Sequence, residues 1–364
     1  MTFIIIIIIL LVFFSFNLGT DFFNHKWWFT AQFIITLLAY HVYLKSGIML
    51  SLFLFYLMTS SAYYSINTQK NHVARMKINF SFDCVMYRSL LASMGFSILF
   101  VLFDKQWLSD ILIAFPILLF ASCLFALLPK KIRTIKSHKN TNVQMFGFSV
   151  NPSIDNTFRS LLAILSLYYF DKYPTIIILL LTVNLIQMAR AGGSAGMGGF
   201  IAGALYFTVI HKGMFIFIPI TAWVILFIYY KLDRGLFNDS GRIDGLKFFW
   251  KHLKPLFKTK FTWITGLGIG SFLNLGHTIQ IAKKTDPKDG YWLWLHNDVF
   301  QAFLEGGILV VVLCIGMIIE AGSGLNPIVI SYGLCWLVNS LVYYPNHMAP
   351  DSFLSLIALK IAYQ

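Results

Sequence analysis

Apolar runs of roughly membrane-spanning length recur along the chain at 2–18, 29–44, 46–66, 84–103, 107–128, 158–171, 174–189, 197–210, 214–230, 299–320, 326–343 and 350–363. A helix rises 1.5 Å per residue, so crossing a hydrocarbon core ~30 Å thick takes about 20 apolar residues. The pattern therefore predicts twelve membrane helices, the shorter ones extending into their flanks or serving as half-spanning pieces. The isoleucine run 4–9 is β-prone in isolation, but lipid admits only helices and closed barrels, and barrel strands alternate polar with apolar residues. The run 2–17 has neither a basic leader nor a small-residue cleavage site, and is expected to be a retained membrane helix. No internal repeat is visible, and 1–364 reads as a single transmembrane domain.

The pattern changes once, in the long polar stretch 231–298. There Leu246, Phe249, Trp250, Leu253 and Phe257 fall at i, i+3, i+4, i+7 and i+11, opposite Lys247, Lys251, Lys254 and Lys258. This spacing predicts an amphipathic helix near 242–257, capped by Asp239 or Ser240 and ended by Pro255. Such a helix lies in a membrane interface or packs as a lid on the bundle, and the spacing leaves both open.

Composition agrees with the pattern. The chain is 58% hydrophobic and 12% charged, with a mean hydropathy of +0.72, whereas soluble domains carry about 25% charged residues. A soluble fold is excluded. Cys84, Cys123, Cys314 and Cys335 fall in or beside apolar segments without CxxC spacing, which points to small buried hydrophobes and not to a metal or disulfide framework.

Twelve spans divide the loops into two sets. One carries Lys45, Lys105, Lys172 and Lys212; the other carries 21 of the 28 Lys and Arg residues, eleven of them in 231–298. The positive-inside rule places the richer set in the cytoplasm, yet an anion-binding site on the opposite face would override that signal.

Several segments carry candidate chemistry. RAGGSAGMGG at 190–199 ends one helix with Arg190 and opens the next with glycines. That arrangement suits either an anion held by converging amides and a guanidinium, or close helix packing through small residues. GLGIG at 266–270 lacks the βαβ setting of a dinucleotide site and is expected to be a flexible turn. YWLWLHNDVFQAFLEGG at 291–307 passes from an aromatic belt into an apolar helix. Within it Asp298, Gln301 and Glu305 form a stripe descending about 10 Å at 1.5 Å per residue. Glu305 is one of two glutamates in the chain, and an ionisable group at that depth is costly unless it has a task. His296 stands at the mouth of the stripe, where a neutral imidazole of reference pKa about 6.5 can accept a proton from a hydroxyl. YYPNH at 343–347 adds His347 on the same side. DxD, HExxH and GxSxG are absent, so metal-dependent sugar-nucleotide transfer, zinc hydrolysis and serine hydrolysis lack their parts.

Taken in order, GFSVNP at 147–152, Arg190 before its Gly/Ser-rich turn, SGRID at 240–244 followed by Trp250, GLGIG at 266–270, and HND at 296–298 followed by LEGG at 304–307 resemble the O-antigen ligase and O-antigen polymerase superfamily of bacterial envelopes. The resemblance covers 147–307, and the first five spans carry no matching motif. Where the family shows an SRG-like triplet, this chain has Ala189-Arg190-Ala191.

The resemblance implies an all-α, GT-C-like glycosyltransferase of the bacterial inner membrane, with 231–298 and the active face periplasmic. Its implied donor is a glycan on undecaprenyl pyrophosphate and its acceptor a sugar hydroxyl, with no metal or cofactor. Membrane lipids and a chain-length regulator are the further partners expected, and nucleic acid is not. His296 and Glu305 are the expected catalytic residues. Arg190, Arg242, Asn297, Asp298, Lys254 and His347 are expected to bind the pyrophosphate or the rest of the substrate. Polymerisation of lipid-linked repeat units is the first expectation, ligation to lipid A core the alternative, and transport of lipid-linked oligosaccharide the alternative of another class.

Overall fold

The computed structural model describes residues 105–129, 131–136, 142–144, 152–191, 194–211, 240–268, 295–321, 326–343 and 349–362, with 271, 272, 275 and 279. These residues form nine helices: α1 (Lys105–Leu127), α2 (Pro152–Ser166), α3 (Pro174–Ala191), α4 (Ser194–His211), α5 (Ser240–Leu253), α6 (Lys260–Thr265), α7 (Asp298–Ala321), α8 (Pro327–Val342) and α9 (Ala349–Ala362). Two 3₁₀ turns, Leu167–Tyr169 and Lys254–Leu256, follow α2 and α5. The one departure is a small antiparallel hairpin, β1 (Thr134–Lys136) with β2 (Asn142–Gln144), in which Thr134 faces Gln144.

The predicted spans 2–18, 29–44, 46–66, 84–103 and 214–230 lie outside the described residues. The other apolar segments are helices. Two of them, α3 and α7, are long and apolar enough to cross a membrane, while the apolar stretches Leu112–Leu127, Ala195–Ile210 and Pro327–Leu341 are shorter. Large apolar side chains stand outward on these helices, among them Phe120 on α1, Leu179 on α3 and Ile319 on α7.

The segment predicted to start at 158 begins six residues earlier, at Pro152. Proline suits the first helical position because its missing N–H would have no intrahelical partner there, and Asp155 in the first turn complements the helix dipole. The early start buries a polar seam. Arg159 pairs with Asp155 at 2.5 Å, both almost fully buried, and donates to the Ser122 carbonyl on α1 at 3.3 Å. Asn156 donates to the Met188 carbonyl of α3 at 2.9 Å. Asn339 on α8 accepts from Thr157 at 3.1 Å and donates to Ser160 at 3.2 Å and to the Cys335 carbonyl at 2.9 Å. Each such bond inside an apolar bundle adds roughly 0.6–2 kcal/mol and fixes helix register.

Around the seam, α1, α2, α3, α4, α8 and α9 share one apolar core that includes Phe115, Leu162, Leu181, Phe200, Cys335 and Ile357. The glycines of α4 permit its close approach to α2 and α8. A methyl at Gly196 would strike the Asn156 carbonyl, and one at Gly199 the Asn339 amide. Close packing is therefore what these glycines do within α4.

A second, smaller core joins α5, α6 and the start of α7, with Phe249, Leu253, Phe257, Phe272, Leu295 and Leu304 buried. It carries the candidate site.

Candidate functional site

The site is organised by the first turns of α7. Asn297 precedes the helix, and its side-chain oxygen accepts from the Phe300 amide at 2.8 Å while its carbonyl accepts from Gln301 N at 2.9 Å. That satisfies helix-start donors that would otherwise be orphaned. The other end of the same side chain donates to the Leu341 carbonyl at the end of α8 at 2.9 Å. Asp298 N donates to the Tyr343 carbonyl at 3.2 Å. The start of α7 is thus fastened to the end of α8.

His296, one residue earlier, has φ 55° and is the non-glycine residue with positive φ among those described. This left-handed conformation costs an ordinary L-residue roughly 1–2 kcal/mol, so it persists where neighbouring contacts enforce it. The Asn297 bonds hold one side. On the other, Leu295 is fully buried and its amide donates to Gln301 Oε1 at 3.0 Å. The His296 ring lies beside Tyr343, centroids 6.5 Å apart.

The stripe Asp298, Gln301 and Glu305 is buried throughout, at 2%, 1% and 5% exposure, so it faces protein. Gln301 orients itself unambiguously: its oxygen takes the Leu295 amide, which leaves Nε2 to donate to Glu305 Oε1 at 3.1 Å. The same Glu305 oxygen accepts from the Phe272 amide at 3.1 Å. A continuous chain therefore runs from Phe272 N through Glu305 and Gln301 to the peptide next to His296.

Two residues beyond Glu305 the helix breaks at Gly307, φ 62° and ψ −157°. A break frees backbone carbonyls, which inside an apolar layer need new donors. Leu267 N supplies the Leu304 carbonyl and Gly268 N the Glu305 carbonyl, each at 2.9 Å. Gly266 and Gly268 reach these positions through φ of 71° and 101°. A methyl on Gly266 would land on the Glu305 carbonyl, and one on Gly307 on the Ile264 carbonyl. Residues 266–268, expected to be part of a flexible turn, form a clamp on the break. The motif's glycines serve backbone-to-backbone contact.

The predicted amphipathic segment is α5 and its 3₁₀ turn. Phe249, Leu253 and Phe257 are buried, Leu246 and Trp250 pack against the second core, and Lys247, Lys251, Lys254 and Lys258 are exposed. Trp250 meets Phe300 edge-on at 5.6 Å, and Phe249 meets Phe272 at 4.9 Å. Of the two positions open to this helix, it takes the lid over the start of α7.

The structure brings His296, Asn297, Asp298 and Glu305 together at one helix start. Lys254 lies exposed at the end of the covering helix. Arg190 is exposed in the last turn of α3, which packs on α1, α2 and α4. Arg242 belongs to the first turns of α5; its side chain, like His347, lies outside the described residues. Comparisons of the chain with protein-family models, curated proteins and solved structures found no match.

Proposed function

We propose that this chain is a multi-pass, GT-C-like glycosyltransferase of the O-antigen polymerase type, with about twelve membrane helices and its active face on the periplasmic side of a bacterial inner membrane. It transfers a growing glycan from undecaprenyl pyrophosphate onto a sugar hydroxyl of a lipid-linked repeat unit. The observation that supports this reading best is the enforced left-handed backbone of His296 at the mouth of a buried polar chain. Strained residues held by their surroundings cluster at functional sites.

In this reading the acceptor oxygen attacks C1 of the donor sugar as His296 takes its proton. The bond from C1 to the pyrophosphate oxygen breaks, and its electron pair leaves with the lipid pyrophosphate. Positive charge grows at C1 and negative charge on the leaving group, so fixed cations at the phosphates lower the barrier. Arg190, Arg242 and Lys254 are the proposed cations and His347 a substrate contact, while Asn297 and Asp298, expected to bind substrate, are taken up in fastening the start of α7 and position His296 beside it. A single displacement inverts the anomeric centre. Glu305, whose described partners are the Gln301 side chain and the Phe272 amide, acts as a positioning residue behind His296.

Transport of the same lipid-linked sugar needs free cations within the spans. Of the two arginines expected within spans, Arg88 lies outside the described residues and Arg159 is paired with Asp155, so Arg159 lends that alternative no support. Ligation to lipid A core uses the same chemistry and differs in acceptor. The test is a null strain complemented with His296→Ala. The expected outcome is membrane-inserted protein without chain extension or ligation, and normal long-chain polysaccharide would overturn the assignment. Extension with a defined lipid-linked repeat unit in vitro separates polymerase from ligase.

A further inference from the structure

After its break, α7 presents an outward apolar surface shorter than a membrane is thick. Its large outward apolar residues after the break run from Ile308 to Ile319, which is about 18 Å at 1.5 Å per residue. The hydrocarbon core is ~30 Å thick. Before the break, α7 turns Asp298, Gln301, Leu304 and Glu305 into protein and leaves Val299 outward. At that level α6 lies across it, with the Gly266 and Gly307 backbones in contact.

The outward side of α6 is apolar. Phe261 is 71% exposed and Ile264 50%, three residues apart on one face, with Leu256 outward on the preceding turn. Lys258 and Lys260, both exposed, lead into Phe261. The opposite side is pinned: Trp263 packs on Phe257 at 5.0 Å and donates to its carbonyl at 3.1 Å. Polar groups on this short helix are satisfied internally. Thr259 and Thr262 form a reciprocal cap, Thr265 donates to the Phe261 carbonyl at 2.9 Å, and Gly266 N donates to the Thr262 carbonyl at 2.9 Å. Such closure is compatible with contact with lipid, which leaves no water to satisfy backbone groups.

We propose that α6 is an interfacial anchor that lies in one leaflet beside α7. Phe261 and Ile264 enter the acyl region, and Lys258 and Lys260 engage anionic phospholipid headgroups. The apolar surface of α7 continues into Ile264 at the break, and two exposed lysines just ahead of an exposed aromatic side chain match an acidic bilayer surface. The bilayer contact belongs to α6, because the apolar face of α5 is spent on the protein core. The proposal rests on the membrane reading and is independent of the transfer chemistry.

The test is photolabelling of the unmodified full-length chain in phosphatidylethanolamine vesicles, with or without phosphatidylglycerol. A phospholipid carrying a diazirine in its acyl chain is the probe, and labelled peptides are mapped. Expected is labelling of both Ile308–Ile319 and Phe261–Ile264, with Lys247 to Phe249 unlabelled. A Lys258→Gln/Lys260→Gln variant should lose labelling at Phe261 severalfold in the anionic vesicles and keep it in the neutral ones. Labelling of α7 without α6, or masking of α6 by a second copy seen as an intermolecular crosslink, overturns the anchor and leaves the membrane reading standing. Labelling of neither overturns both. Equal labelling of the variant in both vesicles overturns the headgroup contact.

Discussion

Gln301 accepts a hydrogen bond from the amide of Leu295 at 3.0 Å and passes the tie on to Glu305 at 3.1 Å, so a side chain about one turn into α7 governs the peptide that leads into His296. Replacing Gln301 with Leu strands the Leu295 amide and removes a partner of Glu305. A buried group left unpaired costs about 1–3 kcal/mol. Gln301→Leu is expected to lower thermal stability by that order and to reduce glycan extension nearly as far as His296→Ala. Gln301→Glu keeps an acceptor for the Leu295 amide but sets a second carboxyl beside Glu305, and should also lower extension. Unchanged extension with Gln301→Leu would show that the chain behind His296 is ornamental.

His296 itself separates strain from chemistry. Glycine adopts φ 55° freely, so His296→Gly is expected to leave stability unchanged or raise it by up to about 1 kcal/mol while abolishing activity. Differential scanning fluorimetry beside an extension assay reads both quantities.

The break in α7 gives a paired comparison of glycines. At Gly307 a methyl meets the Ile264 carbonyl and must adopt a positive φ, a penalty of about 1–3 kcal/mol before any repacking. At Gly333 in α8 nothing lies within 4 Å of the added carbon, and alanine in a helix is favoured by about 0.8–1 kcal/mol. Gly307→Ala should lower the yield of folded protein, and Gly333→Ala should hold or raise it.

Asp155 and Arg159 predict non-additivity. Asp155→Asn alone leaves a buried guanidinium without its carboxylate, a loss of about 3–5 kcal/mol. The double variant Asp155→Asn/Arg159→Met should recover most of that loss in a denaturation cycle. Additive losses would mean the pair is not coupled.

For the proposed phosphate contacts, Arg190→Ala and Arg242→Ala should each reduce extension well beyond Lys247→Ala, which is exposed on the lid. Equal, mild effects would leave only a diffuse field of positive charge.

What the sequence disclosed follows from how each element is held. The face of α5 was legible because a single apolar stripe at helical spacing decides which side packs, and Phe249, Leu253 and Phe257 are the buried positions. The stripe Asp298, Gln301 and Glu305 was legible for the same reason. The true start of α2 was not, because Asn156 and Thr157 look like loop residues until their partners on α3 and α8 are known. The clamp at 266–268 was hidden as well. Its bonds are between backbone groups, so the glycines mark where chains approach but not what they approach. The tie between Asn297 and Leu341 joins residues 44 apart through a main-chain carbonyl, which leaves no trace in side-chain pattern.

The broken helix also fixes an order of events at the ribosome. The donors that satisfy the Leu304 and Glu305 carbonyls, Leu267 and Gly268, lie 37 residues upstream of their acceptors. At roughly 5–20 residues per second they emerge about 2–7 s earlier. The clamp is thus already synthesised when α7 leaves the tunnel, and the carbonyls freed at its break need not wait for any later part of the chain to supply their donors.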